Sequence, residues 1–178
     1  MNQRTSRVTA ILLTAAALAA AGAGHAAEPA EPLRIDHDVR IRASRQEVWN
    51  ALTSPDGLAA WIAPQSTVRV ELGGPYELYF HPDDPVDRGM EGTRILSFIP
   101  LEMLSYEGEI RGSWIVWRLD DAGPDGVLLR FSGLGPARGE WKQRAPHFDQ
   151  VMPELMSRLA KSLEAEPDGV SVQRKEGR

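Results

Sequence analysis

The chain has 178 residues, with 20 Lys+Arg against 25 Asp+Glu, four His and no Cys. That length suits one domain, and 42% apolar with 25% charged residues is a globular composition rather than a disordered or multi-span membrane one. A formal net charge of −5 argues against a nucleic-acid partner held by phosphate neutralisation. The absence of Cys excludes disulfides, thiolate catalysis, Cys-ligated zinc and iron–sulfur clusters.

The first segment reads as a targeting signal. Arg4 and Arg7 make a basic start, residues 8–23 are apolar and Ala/Leu-rich, and Ala23-Gly24-His25-Ala26-Ala27 brings small residues before Glu28-Pro29. That order is the one a secretory signal peptide uses. Gly24 and Ala26 favour cleavage after Ala26, with Ala23 as an alternative site. The competing reading is an uncleaved anchor, but the apolar run falls short of the ~20 residues a spanning helix needs. The expected organisation is therefore a signal peptide over 1–26, a tether over 27–33, a domain over 34–165 and a polar tail over 166–178. The mature chain is expected in the periplasm or outside the cell, with no membrane span.

In the mature chain, Val39 and Ile41 alternate with Arg40 and Arg42, the period of a half-buried strand. Ser44 with Glu47 three residues on spells a capping box for a helix that carries Val48, Trp49 and Leu52 on one face. Ser54-Pro55-Asp56-Gly57 reads as a break before a second short helix over 58–62 that stops at Pro64. The period then becomes two. Val68 and Val70 lead to a Gly73-Gly74-Pro75 turn, and Tyr76, Leu78 and Phe80 follow on one face. Residues 81–89 read as a Pro/Asp loop and 92–99 as a strand with Leu96 and Phe98 on one side. Further strands contain Leu104 and Tyr106, then Ile115, Trp117 and Leu119, and finally Val127, Leu129 and Phe131 after an Ala122-Gly123-Pro124-Asp125-Gly126 connection.

Trp141, Phe148, Val151, Met152, Leu155, Met156, Leu159 and Leu163 recur at three- and four-residue steps, the stripe of an amphipathic helix. Pro146 and Pro153 are expected either to start helical pieces or to kink one. Short sequential links imply an antiparallel sheet. The fold class is α+β: a curved antiparallel sheet of about seven strands wrapped on a long C-terminal helix, with two short helices after the first strand.

This order, together with Ala43-Ser44-Arg45-Gln46-Glu47-Val48-Trp49 and Leu52-Thr53-Ser54-Pro55 through Trp61, resembles the START-like superfamily, also called SRPBCC. Leu72-Gly73-Gly74-Pro75-Tyr76, Gly92-Thr93-Arg94-Ile95-Leu96 and Leu129-Arg130-Phe131-Ser132-Gly133 bring it nearest to the heat-shock-protein-90 ATPase activator homologue branch. The resemblance spans roughly residues 34–165. It implies a helix-grip fold with a cavity between sheet and long helix that takes apolar or amphipathic small molecules. Some branches cyclise or aromatise polyketides. The chaperone role in the branch name is cytosolic, relies on an additional N-terminal domain, and does not carry over to a chain with an export signal.

On that geometry Tyr76, Leu78, Phe80, Leu96, Phe98, Tyr106, Trp117 and Phe131 point to the concave face, opposed by Phe148, Met152 and Met156 from the helix. Flexible, polarizable Met suits a pocket that accepts varied shapes, and Tyr hydroxyls can orient a ligand. The same stripes would also serve a solid core. Arg94 falls inward with Leu96, where it either clamps a ligand carboxylate or reaches water along its stem. Trp49 and Trp61 read as structural plugs.

Little else carries chemistry. The 81–87 loop lacks the Asp-x-Asp-x-Asp-Gly spacing of a calcium loop, Gly133-Leu134-Gly135 lacks a phosphate-loop ending, and no nucleophile elbow or zincin motif occurs. His147 has no acid or hydroxyl partner fixed by spacing. No metal or cofactor is expected, and no catalytic residue. The reading is a binding protein for an apolar or amphipathic small molecule. One alternative is a cyclase-like enzyme using Tyr76, Tyr106, Arg94 or His147. Another is a protein-interaction module seeded by Trp114 and Val116.

Overall fold

A computed structural model describes residues 31–164. The segments read as a signal peptide over 1–26 and a tail over 166–178 lie outside the described residues. The elements in order are β1 (Leu33–Ile41), α1 (Arg45–Thr53), α2 (Pro55–Ala59), β2 (Gln65–Val68), β3 (Tyr76–Tyr79), β4 (Gly89–Met90), β5 (Ile95–Ile99), β6 (Met103–Glu107), β7 (Trp114–Asp121), β8 (Val127–Gly135) and α3 (Gly139–Glu164), with a 3-10 turn at Gly123–Asp125. β1, β8, β7, β6 and β5 pair in that order, all antiparallel, and β2, β3 and β4 form a second antiparallel sheet. A bridge between Pro75 and Arg94, with Tyr76 N–H donating to Thr93 O at 3.0 Å, couples the two sheets. The result is the expected α+β, helix-grip arrangement, with the strands divided five and three rather than set in one sheet of about seven. The extra strand, β4, is two residues long and lies at the end of the segment read as a loop.

The local signals act as written. Glu47 N–H donates to Ser44 Oγ at 3.3 Å and Ser44 N–H to Glu47 Oε2 at 2.7 Å, so the capping box closes and buries Val48, Trp49 and Leu52. At Ser54 the expectation is corrected. The residue that looks like a break is an N-cap, accepting from Gly57 N–H at 3.1 Å, and Pro55 is the first helical residue, where its missing donor costs nothing.

Period-two alternation sorts β1 and β8 cleanly. Ile35 and Ile41 go inward with Val127, Leu129 and Phe131, and Arg34, Asp36, Asp38 and Arg40 go out. β5 breaks the rule. Ile95 pairs with Tyr106, but Ser97 pairs with Ser105, so one residue is inserted between them. This β-bulge shifts the parity by one. Ile95 takes the inner face, Phe98 stays inward and half-buried opposite Leu104, and Leu96 is 47% exposed. The sequence alternation had placed Leu96 and Phe98 together.

Helix α3 is also corrected. It runs 26 residues without interruption across both prolines. Pro146 and Pro153 are seven residues apart, which puts them on one face, and that face is exposed. The carbonyls of Lys142 and Asp149, left without helical donors, therefore meet water instead of the core. Trp141 anchors the start of the helix. Its Nε1–H donates to Leu33 O at 3.0 Å, and its ring fills the space over Gly133 and Gly135 on the inner face of β8.

Candidate ligand-binding site

Between the sheet and α3 lies a cavity of about 390 Å³, at the small end of the range for small-molecule sites. Its floor is aromatic. Trp117 and Phe131, cross-strand neighbours on β7 and β8, meet edge-on at 5.0 Å. Trp61, on the far side of Trp117, makes a second edge contact at 6.0 Å and bonds Ala51 O through Nε1 at 3.0 Å, so it is the structural plug expected of it. Leu78, Phe80 and Met90 from β3, the residue after it and β4 close one wall, and Met152 and Phe148 from α3 form the roof.

The floor contains one hydroxyl, Tyr106, and it is already engaged. Trp117 Nε1–H donates to Tyr106 Oη at 3.2 Å, and the Tyr106 ring stacks on Tyr76 at 3.9 Å. Tyr76 in turn donates to Leu52 O at 2.8 Å, which ties the sheet to α1. Burial disfavours either phenolate. It pushes the Tyr106 hydroxyl up to about 12 and the Tyr76 hydroxyl well above its ordinary value, with the neighbouring Tyr106 adding to the rise. Both are neutral hydrogen-bonding groups in any physiological medium.

The mouth has a different character. It is bounded by Phe148, Val151 and Leu155 on α3, all half-buried, and by Ile110, Ser113 and Ile115 from β7 and the turn before it. The turn is tight: Gly108 N–H donates to Ser113 O at 2.9 Å, Ser113 N–H to Ile110 O at 2.8 Å, and Gly112 sits at φ 81°. Charge appears only here, as Glu109, Arg144, Glu154 and Arg158, with His147 exposed beside them.

Of the residues expected to line the site, the cavity brings together Leu78, Phe80, Tyr106, Trp117, Phe131, Phe148 and Met152. Tyr76, stacked beneath Tyr106, and Met156 are buried but do not line the cavity. Phe98 lies on the inner face but away from the cavity. Leu96 and Arg94 are corrections. The bulge turns Leu96 outward, and Arg94 is exposed with Nη1 donating to Gly73 O at 3.1 Å, so it clamps a backbone carbonyl and not a ligand. Ile115, Val151 and Leu155 carried the right periodicity for the site. Glu109 and Ile110 had no signal, since a turn residue's orientation depends on the turn itself.

A larger hollow, about 570 Å³, opens on the outer face of β1, β8 and β7. Trp114 and Val116 lie in it, but so do Arg34, Asp36, Asp38, Arg118 and Arg130. Arg34 donates to Asp36 at 2.6 Å, and Ser132 donates to the same carboxylate at 2.6 Å. The Arg34 bond first, and that of Ser132, hold Asp36 below the usual carboxylate range. This face is a charged sheet surface and not an apolar patch. Among the described residues there is no cluster of three His, Asp or Glu side chains able to hold a metal, and no helix long and apolar enough to cross a membrane.

A half-closed sheet gripping one long helix around a greasy hollow defines a START-like, helix-grip protein of the SRPBCC superfamily. The chain belongs, more narrowly, to the family described as activator of Hsp90 ATPase homolog 1-like protein, whose model matches residues 42–164. Solved structures of the same fold include protein MLL2253 from Mesorhizobium loti (18% identity, TM-score 0.60, covering 74% of this chain and 96% of that one). The Aha1 dimer from Colwellia psychrerythraea aligns at 20% identity and TM-score 0.59, covering 75% and 97%. CalU16 from Micromonospora echinospora aligns at 19% identity and TM-score 0.55, covering 76% and 87%. At such identities the likeness is one of fold alone. No curated protein matches the sequence.

Proposed function

We propose that this protein is exported and binds an apolar or amphipathic small molecule between its sheet and α3, without catalysing a reaction. The observation that supports binding is the contrast within the cavity: an uncharged aromatic floor whose single hydroxyl is already paired, and a mouth that alone carries charge. A catalytic pocket needs reactive groups converging on one point. Here Arg94 lies outside the cavity, Tyr76 lies behind it, and His147 stands exposed at the rim. Export rests on the leader alone. The signal over 1–26, the tether over 27–33, the domain over 34–165 and the tail over 166–178 form one proposal with a periplasmic or extracellular location.

Native mass spectrometry of the protein purified from its own compartment tests both parts. A co-purifying small molecule, on a chain whose first residue follows Ala26, is the expected result. An intact Met1 overturns export. A bare protein mass, with no binding of the neutral apolar dye Nile red, overturns the binding reading.

A further inference from the structure

Arg144 lies on α3 at the edge of the cavity, its guanidinium carbon 5.6 Å from the centroid of the Phe148 ring that lines it. Across the mouth, Glu109 projects from the turn between β6 and β7 and meets Arg144 at 3.2 Å. Glu140, one helical turn back, is at 3.7 Å. Both carboxylates are reached by the same nitrogen, Nη1, so Nε and Nη2 have no hydrogen-bond partner among the described residues. A guanidinium is built for two parallel bonds to one carboxylate, at about 2.7–2.9 Å each. The present contacts are single-point and long. Arg158, the other cation at the mouth, differs: it holds Glu154 on its own helix at 2.6 Å.

We infer that Arg144 is the anchor for the head group of a monocarboxylate ligand, whose apolar body runs past Phe148 and Ile115 to the aromatic floor at Trp117 and Phe131. Glu109 stands where the ligand's carboxylate is to bind and is displaced when the ligand arrives. This inference rests on the binding role proposed above and narrows it to one class of amphiphile. The side chain of Arg144 is 43% exposed, so its contribution is at the low end for a charge-assisted pair.

The test compares three probes that share a decyl chain: decanoate, decanol and decyltrimethylammonium. Affinities are measured by calorimetry on the purified protein and on two surface variants whose thermal unfolding is checked first. Arg144→Gln is expected to weaken decanoate about tenfold while leaving decanol within about twofold. Glu109→Gln is expected to tighten decanoate several-fold by removing the competitor. Equal effects of Arg144→Gln on decanoate and decanol, or tighter binding of decyltrimethylammonium than of decanoate, overturn the anchor. If decanol binds and decanoate does not, only the anchor fails. If neither these probes nor Nile red binds, the cavity reading fails with it.

Discussion

The indole of Trp141 lies against the bare backbone of Gly135. A Cβ placed on Gly135 would stand 2.6 Å from Trp141 Cγ and 2.7 Å from Cδ1, and one on Gly133 would stand 3.2 Å from Cη2. Two glycines on the inner face of β8 thus form a seat for one aromatic ring, and that ring fixes where α3 begins. Gly135→Ala is expected to cost about 1–3 kcal/mol through overpacking, read as a lower denaturant midpoint. A midpoint equal to that of the unmodified protein contradicts this packing.

The buried pair Tyr76 and Tyr106 sets a limit in alkali. Their folded hydroxyls titrate above the ordinary value of 10.0, because burial penalises the phenolate. Above that value the unfolded chain loses these protons while the folded one keeps them. Stability is therefore intact below pH 10 and falls as pH rises from there, through about 12 for Tyr106, with Tyr76 shifted in the same direction, at up to about 1.4 kcal/mol per pH unit for each group. Unfolding followed by circular dichroism and tyrosinate absorbance should coincide. The third tyrosine, Tyr79, is only half-buried and can ionise in the folded chain, so tyrosinate from more than one residue near pH 10 in a chain that keeps its folded spectrum contradicts the burial.

Leu155 is half-buried at the mouth of the cavity. Leu155→Trp should plug the entrance, lowering Nile red binding about tenfold or more while changing stability by less than about 1 kcal/mol, since the added ring sits at a surface edge. Unchanged dye binding in a folded variant would place the entrance elsewhere.

The bulge in β5 is tested by a pair of lysines. Leu96→Lys puts a charge on an exposed site and should shift stability by no more than about 0.5 kcal/mol. Ile95→Lys buries an unpaired ammonium beside Tyr106 and should cost about 3 kcal/mol or more. The opposite ranking would restore the uninterrupted alternation.

Most of the scaffold can be read from residues whose effects are local. Ser44 and Glu47 close their box within four residues, and Val127, Leu129 and Phe131 show their burial in their spacing. The site is legible only where that spacing survives: Trp117, Phe131 and Met152 line the cavity, and Leu96 does not, because a single inserted residue inverts parity without changing composition. The prolines misled for a related reason. Sequence shows that Pro146 and Pro153 lack donors, but not that both face water. The mouth was hardest to see, because Glu109 and Arg144 meet only after the sheet has curved and brought residues 35 positions apart to one rim.

Helix α3 is fastened unevenly. Along β1 and the chain just after it, three ties hold it: Trp141 to Leu33 O at 3.0 Å, His37 to Asp149 at 3.0 Å, and the Arg42 amide to Glu164 at 3.2 Å. On the opposite flank, among the described residues, the Glu109–Arg144 contact is the one ion pair spanning from the helix to the sheet side. The molecule therefore has a hinge side and a latch side, as a door has. For the ligand proposed above, the loosely tied flank is where entry breaks the fewest contacts, while the stitched seam holds the register of the helix along β1.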